Sequence, residues 1–286
     1  MLQKGKRLWN GRRILKDGAY NMFFEKYQRA VEDKKSIINI NLDPVLPRHR
    51  EKFSIPDRYL SSGDGNALLD FSFEIIENVS DYCCSVKPNV QYFLSDTKIL
   101  EKLAKKIHKE GMIAVFDNKL SDIGSTNEIA IQWISEMGFD AFTFSPFAGN
   151  MEPTIETAHK KNLGVIVLTL MSNPEAELMA NATVNGIPTY QYIAKEVKRT
   201  NADGCVVGLT GFVEADYIKA IQDNAGDDKV FLLQGIGPQG GSESDLEKVK
   251  FVKNPLVSLG REVIYSEDIK GSLKRYHNLL NKVKKL

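Results

Sequence analysis

The sequence predicts a (β/α)8 barrel, and three observations carry this. Eight short apolar runs alternate with segments of helical periodicity. Most of the runs are continuously apolar rather than alternating, as parallel strands are when helices cover one face and a core the other. The 286 residues are a length that such barrels commonly fill as a single domain.

The elements follow in order. Residues 1–16 carry Lys4, Lys6, Arg7, Arg12, Arg13 and Lys16 without an acid and read as a basic tail, with 17–286 as the barrel domain. Serine is absent from that tail, and Gly5 and Gly11 interrupt any helix, which argues against a transit peptide. From Tyr20 to Val31, Met22, Phe23, Tyr27, Ala30 and Val31 fall at helical spacing, an extra helix ahead of the barrel. Ser36–Asp43 is the first strand, and Pro44 and Pro47 then break the chain. Leu68–Ile76 is helical and Cys83–Pro88 the second strand. Asp96–Glu110 is helical and is closed by Gly111. Met112–Phe116 is the third strand, followed by a helix around Glu128–Ile134. Ala141–Ser145 is the fourth strand and Gly164–Leu170 the fifth, with helix Met151–Lys161 between them. Asn173–Thr189 is long and polar, either a lid or plain surface. Helix Tyr190–Arg199, strand Cys205–Gly208, helix Val213–Gln222 and strand Lys229–Leu233 come next, then strand Leu256–Leu259 and a last helix from Ile269 to Lys285. A doubly wound sheet is the competing fold. It calls for Gly-x-Gly-x-x-Gly after the first strand, where this chain has Asp43-Pro44-Val45-Leu46-Pro47.

The totals exclude several function classes. A net charge of +1 gives no global field for nucleic acid or membrane. No apolar run approaches the ~18 residues of a spanning helix, and the N-terminal stretch has no apolar signal core. Cys83, Cys84 and Cys205 all lie in strand-like runs, which suits buried thiols in a reducing, cytoplasmic compartment rather than a disulfide or zinc framework. The four histidines are scattered; His108 and His159 sit in charged helical stretches and are expected to be solvated. A histidine-built metal site is therefore not expected.

The polar residues gather where barrel strands end, which is where barrel chemistry sits. The first strand ends in Asp43, the second in Lys87, and the third carries Asp117 and Lys119 with Asp122 in the loop beyond. Asp117 and Lys119 are two apart, so an extended strand points them to one side. A lysine between two aspartates is favoured in its charged form. The bland alternative is a surface Asp-x-Lys pair of little energetic value. Thr169 and Ser172 follow the fifth strand. Gly235-Ile236-Gly237-Pro238-Gln239-Gly240-Gly241 follows the seventh, and Gly260-Arg261 the eighth. Glycine-rich backbone and a bidentate arginine after the last two strands suit a phosphate.

Taken together, Asp-x-Lys-x-x-Asp-Ile-Gly-x-Thr at 117–126, Leu42-Asp43-Pro44, Val86-Lys87-Pro88, Met171-Ser172-Asn173-Pro174, the 235–241 turn and Gly260-Arg261 resemble the orotidine 5'-monophosphate decarboxylase family. The match runs in order from about 36 to 265, and the segment after Ser172 is similar to the bacterial and archaeal branch with longer inserts. The resemblance implies decarboxylation of orotidine monophosphate to UMP without cofactor or metal. It implies that Lys119 protonates C6 and that Asp117 and Asp122 hold its ammonium. Asp122, with Ile123 and Thr126, is expected from the partner of a homodimer. Asp43 and Lys87 are implied at the ribose and complete the charge network, with Lys87 among the catalytic residues; Ser172 is implied at the pyrimidine, and Gln239, Arg261 and backbone at Gly260 at the phosphate. Gln234 is a departure, since many members have proline there, and it puts the rigidity of that turn in question. Two other readings stand beside this one. Asp-x-Lys-x-x-Asp is shared with metal-dependent sugar-phosphate decarboxylases and aldolases, which are expected to carry a glutamate metal ligand where this chain has Lys87. A non-catalytic nucleotide-binding barrel is the third reading.

Overall fold

Eight parallel strands close into a barrel in the computed structural model, which describes residues 8–9, 12–13, 22–236 and 243–284. The strands are β1 (Ile38–Leu42), β2 (Ser85–Pro88), β3 (Ile113–Leu120), β4 (Ala141–Phe144), β5 (Gly164–Leu170), β6 (Gly204–Gly208), β7 (Val230–Gln234) and β8 (Pro255–Leu259). Each pairs with its neighbours in sequence, and β8 returns to β1. The helices are α1 (Met22–Lys34), α2 (Asp64–Val79), α3 (Lys98–Lys109), α4 (Gly124–Glu136), α5 (Met151–Lys160), α6 (Glu177–Asn181), α7 (Thr189–Thr200), α8 (Ala215–Ala225), α9 (Arg261–Ile264) and α10 (Ile269–Lys284). The expected order of strands and helices is therefore present, with ends moved by a few residues.

Two apolar layers follow from the strand pleat. Ile40, Val86, Ala114, Phe142 and Val165 pack outward against the helices, with Leu68, Leu103 and Ile155 opposite them. Ile113, Val115, Ala141, Ile166, Val206 and Leu232 fill the barrel interior together with Phe23, Phe24 and Tyr27 of α1. The extra helix is thus a plug at the amino end of the strands. Its three buried rings are each worth roughly 1.5–3 kcal/mol on full burial. Gly164 is required there, because a Cβ would overlap the Phe23 ring. The Tyr27 hydroxyl donates to the Pro255 carbonyl at 2.8 Å. Of the basic tail, only Leu8–Trp9 and Arg12–Arg13 lie within the described residues, as a short antiparallel pair.

Two histidines also hold buried aspartates: His108 is exposed, as expected, while His159 is half-buried. Asp140, just before β4, accepts from the Ala114 N–H at 2.9 Å, His108 at 2.7 Å and Lys26 at 2.6 Å. Asp203, just before β6, accepts from the Val165 N–H at 2.8 Å and pairs with His159 at 2.9 Å. Burial opposes the ionisation of Asp140, yet His108 and Lys26 hold its carboxyl below its ordinary value. Periodicity could not show these pairs, since their aspartates lie 32 and 44 residues away in the chain. The segment 173–189 is also more ordered than loop chemistry suggests. It holds α6 and a hairpin pairing Thr183–Val184 with Ile187–Pro188. Asn185 and Gly186 turn it, both at positive φ, as a two-residue hairpin turn requires.

Candidate active site

The carboxyl end of β3 departs from regular strand geometry. Phe116 pairs with Phe142, but the next pairing is Leu120 with Phe144, so four steps on β3 span two on β4. Lys119 sits inside this bulge at φ 47°, the left-handed region, which for a non-glycine residue costs of order 1–3 kcal/mol. Extended geometry therefore does not align Asp117 with Lys119. The bulge does, and Lys119 Nζ lies 2.8 Å from Asp117 Oδ1.

Asp117 is the hub. It is buried, and its other oxygen pairs with Lys87, which is buried too. Thr143 of β4 donates to Asp117 Oδ1 at 2.8 Å and accepts the Lys119 N–H at 2.9 Å. One threonine thus pins both the carboxylate and the bulge. Burial opposes a charge on Asp117, but Lys87 and Lys119 outweigh it and hold the carboxyl well below its usual range. Asp43 shows the opposite balance. Burial and the Asp117 charge raise its carboxyl above the ordinary value, although Lys87 draws it down. One Asp43 oxygen is buried with no hydrogen-bond partner among the described residues. Lys119, by contrast, keeps 44% of its side chain exposed.

Asp43, Lys87, Asp117, Lys119, Thr143 and Ser172 share one cavity of about 180 Å³. Ser172 is seated by glycines: a Cβ at Gly208 would overlap it, and one at Gly235 (φ 113°) would lie 3.1 Å from its hydroxyl. Asp122, Ile123 and Thr126 do not join the cavity of their own chain. They are exposed at the start of α4, where Asp122 Oδ1 accepts the Ile123 N–H at 2.7 Å. Gly260 and Arg261 open α9 beside the site. The Gly260 N–H is donated to Glu262 Oε1 at 3.1 Å, and the Arg261 guanidinium stands 5.9 Å over the Phe53 ring. Gln239 and the rest of the 237–241 turn lie outside the described residues.

Sequence reasoning overlooked Thr143 and Asn41. Thr143 is the one polar residue in Ala141-Phe142-Thr143-Phe144, and its inward register beside Asp117 was the available signal.

A closed barrel gathers two lysines and two aspartates at the ends of its first three strands, the rim where barrel enzymes place their chemistry. Residues 68–276 match the Orotidine 5'-phosphate decarboxylase / HUMPS family. The chain belongs to that family. It is 33% identical over 227 residues to the orotidine 5'-phosphate decarboxylase of Cupriavidus metallidurans, covering 77% of this chain and 79% of that one. It is 28% identical to the enzyme of that name from Thermomicrobium roseum, covering 92% and 96%. Among solved structures, a putative orotidine-monophosphate decarboxylase of Toxoplasma gondii shares the fold with a TM-score of 0.78 at 20% identity, covering 92% and 96%. The Methanocaldococcus jannaschii enzyme, solved with the inhibitor BMP, does so with a TM-score of 0.66 at 23% identity, covering 85% and 98%.

Proposed function

We propose that this protein decarboxylates orotidine 5'-monophosphate to UMP and carbon dioxide, without metal or organic cofactor. Family membership and the relatives' names support the reaction. The observation that carries the mechanism is a half-exposed Lys119 ammonium held 2.8 Å from a buried, firmly ionised Asp117 at the cavity wall.

The chemistry needs such a group. The bond from C6 to the carboxylate breaks, carbon dioxide leaves, and the electron pair stays on C6, where the ring cannot delocalise it. A preorganised ammonium stabilises that charge as it develops. Lys119 then gives its proton to C6 and is reprotonated from water. Asp117, Lys87 and Thr143 hold Lys119 in place, so little reorganisation accompanies the reaction. The unpartnered oxygen of Asp43 suits a ribose hydroxyl, and Lys87 completes that end. Ser172 suits the pyrimidine edge, and Arg261 with Gln239 and Gly260 the phosphate. Lys87 places a cation where the metal-dependent relatives are expected to ligate a metal, which weighs against that chemistry.

The test is the loss of orotidine monophosphate absorbance on adding purified protein, with and without EDTA. Turnover unaffected by EDTA is expected. No turnover from a folded protein that still binds UMP sinks the enzymatic reading, and turnover abolished by EDTA sinks the metal-free one.

The same reading places the protein in the cytoplasm as a homodimer with shared sites. Among the described residues, no helix is long and apolar enough to cross a membrane. The exposure of Asp122 and Thr126 supports sharing, as does the apolar surface at Ile123, just before α4, and at Ile129 and Trp133 of α4, each more than 60% exposed. Mixing Asp122→Ala with Lys119→Ala protein should restore roughly a quarter of wild-type activity, since random exchange in a two-fold dimer rebuilds one site per mixed pair. No recovery despite demonstrated subunit exchange argues against a shared site.

A further inference from the structure

The barrel floor beneath the cavity holds a closed ring of polar side chains that the reaction above does not use. Asn39 Nδ2 donates to Asn41 Oδ1 at 3.1 Å and to Ser258 Oγ at 3.0 Å. Asn41 Nδ2 donates to Gln234 Oε1 at 3.1 Å, and Gln234 Nε2 donates to Ser258 Oγ at 2.9 Å, which closes the ring. Ser85 donates to Asn39 Oδ1 at 3.0 Å and ties the ring to β2. Four strands, β7, β8, β1 and β2, are therefore linked through side chains as well as backbone.

Asparagine is disfavoured in strand interiors, and a buried amide is costly unless its groups are partnered. Two asparagines in the five residues of β1 call for a reason. Asn39, Ser85 and Ser258 are fully buried, whereas Asn41 and Gln234 are part-exposed and line the cavity. Each of these two amides has spent one N–H on the ring and keeps a second. Their position relative to the nucleotide follows from their neighbours. Gln234 immediately precedes Gly235, whose φ of 113° begins the turn after β7. Asn41 packs against Gly260 at the end of β8, where a Cβ would lie 3.6 Å from that of Asn41. The ring thus spans the two glycine turns assigned to the phosphate.

We propose that Asn41 and Gln234 are positioning residues for the phosphate end of the nucleotide, bracing the turns at Gly235 and Gly260 at a fixed separation. The inference rests on the proposed nucleotide substrate. Gln234 is held from both sides, accepting from Asn41 and donating to Ser258, so the residue that enters the Gly235 turn is fixed by hydrogen bonds. A satisfied polar network of this kind rigidifies its surroundings as a unit.

The test compares two ligands that differ only in the phosphate. Asn41→Ala, Gln234→Ala and the double variant are titrated with UMP and with uridine, and assayed with orotidine monophosphate. Losing a bracing hydrogen bond should weaken UMP about five- to tenfold, raise KM similarly, and leave uridine binding and kcat nearly unchanged. The double variant should be no worse than the poorer single one. Ser258→Ala, which disturbs the ring without touching the cavity, should show the same pattern more weakly and serves where an alanine at 41 or 234 impairs folding. Equal weakening of UMP and uridine overturns the proposal, as does a loss in kcat with KM unchanged. So do effects of the two single variants that simply multiply. The binding comparison needs no turnover, so a wild-type protein that binds UMP without decarboxylating the substrate defeats the functional reading while the ring is still judged.

Discussion

Lys119→Ala is expected to lower kcat by on the order of 10⁴–10⁶-fold, because it removes a general acid and a preorganised charge at once. Folding should survive. Asp117 keeps Lys87 and Thr143 when Lys119 Nζ is gone, and the lysine side chain is half-exposed. Thermal unfolding should therefore shift by no more than a mildly destabilising substitution does, about 1 kcal/mol. Affinity for UMP should persist, since the contacts proposed for phosphate and ribose lie elsewhere. Steady-state absorbance assays and a melting curve read both halves. A variant within tenfold of wild-type kcat removes Lys119 as proton donor.

Asp117→Asn should damage stability and activity together. It leaves Lys87, 3% exposed, without its counter-charge. Breaking one partner of a buried pair costs about 3–5 kcal/mol, a drop that urea denaturation resolves. Activity should fall because Lys119 loses its anchor. The pH dependence has a definite sign. The folded carboxyl of Asp117 lies below its unfolded value of roughly 3.9, so its contribution is complete above that pH and is lost as pH falls through the folded value. Wild-type stability should thus decline in acid more steeply than that of the variant. Asp43 behaves oppositely: its raised carboxyl disfavours the charged form in the folded state, and the cost appears as pH rises above the unfolded value. The acid limb of kcat/KM should accordingly follow Asp43 rather than Asp117. An acid stability profile unchanged in Asp117→Asn contradicts the assignment of Asp117 as the charged hub.

Why some of this was legible in the chain and some was not has physical causes. The strands were legible because apolar runs of five or so residues bounded by glycine, proline and charge leave few other options. Asp43, Lys87, Asp117 and Lys119 were legible because a barrel brings its strand ends to one rim, so position along a strand nearly gives position in space. The bulge was not, since Asn118-Lys119 contains no glycine to announce a left-handed residue, and tertiary bonds from Thr143 impose it. Nor was the role of Thr143, which looks like an ordinary β-branched strand residue until its register with Asp117 is known. The pairing of His108 and His159 with aspartates was hidden for a related reason: helical spacing gives the face a side chain occupies, not the aspartate waiting just before the strand beneath. Asp122 lay in a loop, where sequence sets no direction, and it proves to point out of its own chain's cavity.

The plug formed by α1 has a consequence for how the barrel is assembled. Only Lys35, Ser36 and Ile37 separate its last residue, Lys34, from the first strand. A tether this short holds Phe23, Phe24 and Tyr27 at a local concentration that, for short flexible linkers, is of millimolar order. The helix is in effect an intramolecular ligand for the open end of the barrel, saturating it without needing high intrinsic affinity. Separating it from the strands would turn a unimolecular closure into a bimolecular one. The occupancy of the barrel's amino end would then depend on how much helix was supplied.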